Sequence, residues 1–94
     1  MTGWTFLSNH AHVLRLLYLQ PDLRMRDIAD KVGITERAVQ RIVHDLANDE
    51  YITITKEGRR NTYTANLDKN LRHPLEANVS VRQFLAGIPG GVTN

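Results

Sequence analysis

The sequence predicts a mainly α-helical fold with a small β-hairpin, and three observations carry that expectation. Apolar side chains recur at helical spacing in three successive segments between about residues 9 and 48. Beyond Tyr51 the period changes to two: Ile52 and Ile54 alternate with Thr53 and Thr55, and Thr62 and Thr64 alternate with Tyr63 and Ala65. Between those runs lies "KEGRRN", Lys56 to Asn61, a glycine-containing turn with Arg59 and Arg60 at its tip. With 94 residues, 41% hydrophobic and 23% charged, the chain has the composition of a folded domain and the length for one, spanning 1–94 around a modest core. No separate catalytic or effector-binding domain fits beside it.

The elements follow in order. After an extended, aromatic start at Trp4 and Phe6, Ser8 or Asn9 is expected to cap a first helix to about Leu19, which "QPD" at Gln20 to Asp22 ends. Val13, Leu14, Leu16, Leu17, Tyr18 and Leu19 make it apolar on nearly every side, as a central or dimer-contacting helix would be. A second helix, about Met25 to Val32, gathers Met25, Ile28, Ala29 and Val32 on one stripe and stops at Gly33, which suits a left-handed turn. Its start is less well marked, because Arg24 stands where a capping Ser or Thr would often sit. Thr35 offers a side-chain oxygen to cap a third helix, about Glu36 to Asn48, and the two strands come next. Leu67 to Asn78 reads as irregular or only briefly helical, interrupted by Pro74. Ser80 and Gln83 have the spacing of a capping box and open a short helix to about Ala86; the tail from about 87 to 94 is expected to be flexible.

The third helix raises the functional question. In "VGITERAVQRIVHDL" the residues Val39, Ile42, Val43 and Leu46 share one narrow stripe, which is a core face. Opposite it fall Arg37, Arg41, His44 and Asn48, flanked by Gln40 and Glu36. Taken alone, such a face reads as solvated surface or as a DNA recognition helix, whose Arg and Gln side chains suit base edges and phosphates. Its neighbours favour the second reading. A small residue at Ala29 lets two helices approach, Gly33 relieves the turn, and Ile34, Val39 and Ile42 pack the following helix steeply against the first. Helix, tight turn, helix and then a basic hairpin spell a winged helix-turn-helix: a three-helix core, a two-stranded wing and a short C-terminal helix.

In this combination the chain resembles the small stand-alone winged-helix regulators related to the MarR and ArsR proteins of bacteria. Its landmarks "WTFL", "GITERA", "GRRN" and "RHPLEA" stand at Trp4, Gly33, Gly58 and Arg72. The resemblance runs from Trp4 to about Leu85 and implies a transcriptional regulator that binds double-stranded DNA as a homodimer. Carried over residue by residue, it assigns Thr35, Glu36, Arg37, Gln40 and Arg41 to the major groove, with His44 further along the same face. It assigns Arg59, Arg60 and Asn61 to the wing, beside Lys56, for phosphates or the minor groove.

Charge distribution agrees with that assignment. The formal net charge is only +2, so placement matters more than total. Basic residues occupy the first half of the third helix and the wing, whereas Asp45, Asp49 and Glu50 gather at the helix C-terminus, where acids oppose the helix dipole. A winged-helix module that binds an acidic protein instead of DNA is the main rival reading, and RNA binding a third.

Other chemistry finds little support. His10 and His12 lie two apart and share no helical face, and no cysteine or acidic cluster completes a site with His44 or His73, so neither metal nor other cofactor is expected. Ser8, His10 and Asp22 lack the nucleophile elbow or phosphate loop of an enzyme. Tyr18, Tyr51 and Tyr63 read as core or interface aromatics. The absence of cysteine, signal peptide or membrane-length apolar run fits a soluble, cytoplasmic protein. Finally, Trp4, Phe6 and Leu7 before the first helix, with Phe84, Leu85 and Ile88 at the last, exceed what a three-helix core can hold, so some are expected at a homodimer interface.

Overall fold

Among the described residues, the side-chain oxygens of Ser8, Thr35 and Ser80 set three of the four α-helix starts. In the computed structural model, which describes residues 3–88, the Ser8 hydroxyl accepts from the Ala11 N–H at 3.2 Å and opens α1, Asn9–Leu19. Helix α2, Met25–Val32, begins at Arg24 without a side-chain cap, as the sequence suggested, and ends at Gly33 with φ 86°. In that left-handed turn the Gly33 and Ile34 N–H groups both donate to the Ala29 carbonyl, at 2.8 and 3.1 Å. Two residues later Thr35 caps α3, Glu36–Asn48, accepting from the Ala38 N–H at 3.0 Å. Strands β1, Ile52–Glu57, and β2, Arg60–Ala65, pair antiparallel with Ile52 opposite Ala65 and Glu57 opposite Arg60.

That register revises the wing. Only Gly58 and Arg59 form the turn; Lys56 and Asn61, expected within it, face each other across the ladder. Gly58 takes φ 64° at the first central position, a conformation that costs a Cβ-bearing residue energy and lets the loop shrink to two residues.

The core lies where the helices meet the base of the hairpin. Val13 and Leu17 of α1, Ile28 of α2 and Val39 of α3 are almost wholly buried, joined by Ile42, Val43 and Leu46 on the expected α3 stripe. Fully burying a side chain of this size is worth about 1.5–3 kcal/mol. Ala29 of α2 is buried, a small residue where the motif calls for one. At the hairpin base Ile52 and Tyr63 enter the same core, while Ile54, the partner of Tyr63 across the ladder, is 43% exposed.

The segment after β2 is ordered by its backbone. The Tyr51 hydroxyl donates to the Asn70 carbonyl at 2.6 Å, Leu71 N–H to Val79 O at 2.9 Å, and Val81 N–H to Lys69 O at 2.8 Å. Pro74 does not interrupt a helix here. It opens a 3-10 turn, Pro74–Glu76, where its missing N–H leaves nothing unpaired. Ser80 and Gln83 complete the expected capping box at the start of α4, Val81–Ala86, which docks through Val81 and Leu85. Of the tail expected to be flexible, residues 89–94 lie outside the described residues. No helix among the described residues is long and apolar enough to cross a membrane.

Candidate nucleic-acid interface

Helix α3 is anchored on one side and presents the other. Its core stripe fixes the helix's rotation, so Arg37, Gln40, Arg41 and His44 all stand exposed on the outer side, with Glu36 at the first turn. The Thr35 hydroxyl accepts the cap hydrogen bond from Ala38 N–H and keeps a proton to donate. Glu36 lies favourably at the positive end of the helix dipole.

Two of the acids at the far end of α3, Asp45 and Asp49, are held by partners. His10 Nε2 donates to Asp45 Oδ2 at 2.9 Å, and Arg72 Nη1 to Asp49 Oδ2 at 2.9 Å. The His10 hydrogen bond holds the Asp45 carboxyl below the ordinary aspartate range; desolvation opposes it, and the charges of His10, His44 and Arg41 assist it. Sequence reasoning missed both ties, since 35 and 23 residues separate the partners.

The wing is positioned from the side. Tyr63 N–H donates to Pro21 O at 3.0 Å, tying β2 to the α1–α2 turn, and Arg60 Nη2 approaches Asp22 Oδ2 at 4.0 Å. The result is a groove of about 420 Å³ shared by Arg59, Arg60 and Asn61 of the wing and Glu36 of α3. Lys56 sits on the hairpin just outside it. Two further cations line the same groove, Arg24 and Arg26, which the sequence reading had not assigned. Their signal was available in "DLRMR" at Asp22 to Arg26, but only the fold turns the start of α2 toward the wing. Arg24 is engaged locally, its Nε donating to Asp27 Oδ2 at 3.3 Å.

Of the six residues expected at a dimer surface, Leu85 is committed to this chain's own core at 6% exposure, because α4 docks through it. Phe84, Leu7 and Ile88 are half-buried, while Trp4 and Phe6 are exposed. No group of three His, Cys, Asp or Glu side chains stands close enough to hold a metal among the described residues.

Comparison with known proteins reaches the same fold. The MarR family model matches residues 4–60, which span α1 to the wing turn. No curated protein matches the chain. Among solved structures, the crystal structure of the zinc-dependent MarR family transcriptional regulator AdcR in the Zn(II)-bound state superposes with a TM-score of 0.53 at 17% identity. That match covers 70% of this chain and 47% of the other, so this chain spans about half the length of its structural relative.

Proposed function

The chain belongs to the MarR family, and from that premise we propose that it is a homodimeric transcriptional regulator that reads double-stranded DNA by sequence. The observation that carries the proposal is the convergence of two independent elements on one surface. Glu36 in the first turn of α3 and the arginine-bearing tip of the wing line a single groove with Arg24 and Arg26, and Arg37, Gln40 and Arg41 stand exposed on α3 outside it. In this reading Arg37, Gln40 and Arg41 meet base edges in the major groove, where Arg pairs with guanine and Gln with adenine. Thr35, Glu36 and His44 border that contact, and Lys56, Arg59, Arg60 and Asn61 serve phosphates or the minor groove.

Selection of bound sequences from a random duplex library tests it. The wild-type chain is expected to enrich one motif, with affinity falling steeply as salt rises. Arg37→Ala, Gln40→Ala and Arg41→Ala are each expected to relax preference at defined positions, worth about 1–3 kcal/mol per base pair. Salt-sensitive binding with no enriched motif would reject sequence readout. Absence of salt-sensitive binding would reject DNA as the partner and favour an acidic protein.

A further inference from the structure

A short aromatic arm and an apolar pocket adjoin each other at the start of α1. In the arm Phe6 is 92% exposed and Trp4 63%, their rings meeting edge to face at 5.0 Å. The Thr5 hydroxyl donates to the Leu7 carbonyl and bends the segment between them and the helix. Directly after it, Ala11 and Leu14 of α1, Leu46 of α3, Leu71 of the segment after β2, and Phe84 of α4 wall a pocket of about 300 Å³. Around the pocket the charged groups are already matched, His10 with Asp45 and Arg72 with Asp49, each at 2.9 Å. Such a pocket favours an uncharged, apolar occupant, since a charged one would compete with existing pairs.

We infer that the occupant is the Trp4–Phe6 arm of a second copy of this chain, each arm entering the other's pocket about a two-fold axis. The inference deepens the homodimer reading above and rests on it. A two-fold contact must be self-complementary, with donor surface and acceptor surface on the same patch. Arm and pocket meet that condition, because only Leu7 separates Phe6 from Ser8 at the pocket's edge. Each arm brings two largely exposed aromatic rings to the contact, and aromatic side chains bury about 150–250 Å² each when fully covered. The pocket adjoins the C-terminal half of α3 through Asp45, Leu46 and Asp49, so the exchange would fix the mutual placement of the two recognition helices.

Trp4 is the only tryptophan, so its fluorescence reports the arm directly. Emission and acrylamide quenching are measured across a protein dilution series, with mass from sedimentation equilibrium on the same samples. The expected result is a dimer whose Trp4 emission is blue-shifted and protected, reverting to exposed values on dilution to monomer. Phe6→Ala removes a side chain that this chain's own core does not use, so it is expected to fold normally by circular dichroism while weakening self-association at least about tenfold. Ala11→Glu, from the pocket side, is expected to do the same. A dimer with exposed Trp4, undisturbed by Phe6→Ala, would overturn the arm exchange and leave the homodimer standing. A monomer at all concentrations would overturn both. Protection of Trp4 that persists in samples of monomer mass would place the arm in its own pocket and overturn the exchange.

Discussion

Two residues at the end of α3 show opposite uses of an acid. Glu50 has φ 67° and closes the helix as glycine commonly does, its N–H donating to Ala47 O at 3.0 Å while Tyr51 N–H donates to Leu46 O at 2.8 Å. A Cβ-bearing residue in that conformation costs about 1–2 kcal/mol, and a carboxylate there also opposes the helix dipole. Glu50→Gly is therefore expected to stabilise the fold by about 0.5–1 kcal/mol after the greater chain entropy of glycine is subtracted. A higher urea midpoint at unchanged m-value checks it. Asp45, by contrast, is favoured as a carboxylate. Its folded pKa is depressed, so its contribution is present above the unfolded aspartate value, about pH 4, and is lost as pH falls through the lower folded value. The stability difference between wild type and Asp45→Asn is expected to shrink as pH falls below about 4, and a difference that stayed constant to about pH 2 would rule out this account.

At the scale of elements, the hairpin is a lever whose base is in the core and whose tip is in solvent. Ile52 and Tyr63 hold the base, while Arg59 and Arg60 at the tip are exposed. Removing both arginines should leave folding intact and act on binding alone. Arg59→Ala with Arg60→Ala is expected to weaken binding to all duplexes similarly and to lower the slope of log affinity against log salt by up to about 2, one per phosphate contact. An unchanged slope in the double variant would take the wing out of the interface.

For the whole molecule, dimensions connect the monomer to DNA. The chain measures 38 × 34 × 25 Å, comparable with one turn of duplex. One turn of duplex is about 34–36 Å, which favours half-sites centred 10–10.5 base pairs apart on an inverted repeat. Footprinting on the selected motif is expected to show two such half-sites protected together. A single protected half-site, bound by one chain, would contradict the two-fold arrangement.

Local physics was sufficient for much of this protein. The α3 stripe of Val39, Ile42, Val43 and Leu46, the turn at Gly33, the caps at Ser8, Thr35 and Ser80, and the hairpin after Tyr51 all follow from periodicity and short-range hydrogen bonding, so the winged-helix fold was legible in the sequence. The side of α3 that carries Arg37, Gln40 and Arg41 was legible for the same reason, since burying one stripe exposes its opposite. Contacts between residues distant in sequence were not. The approach of Arg24 and Arg26 to the wing depends on how α2 crosses α3, and the His10–Asp45 and Arg72–Asp49 pairs depend on where the chain ends are carried. Whether Leu85 or Phe6 would enter the core was equally a matter of tertiary packing: both are apolar, but the capped helix α4 turns Leu85 inward, while the bent arm leaves Phe6 in water. Periodicity assigns faces within an element; only the packing of elements against one another decides which faces meet.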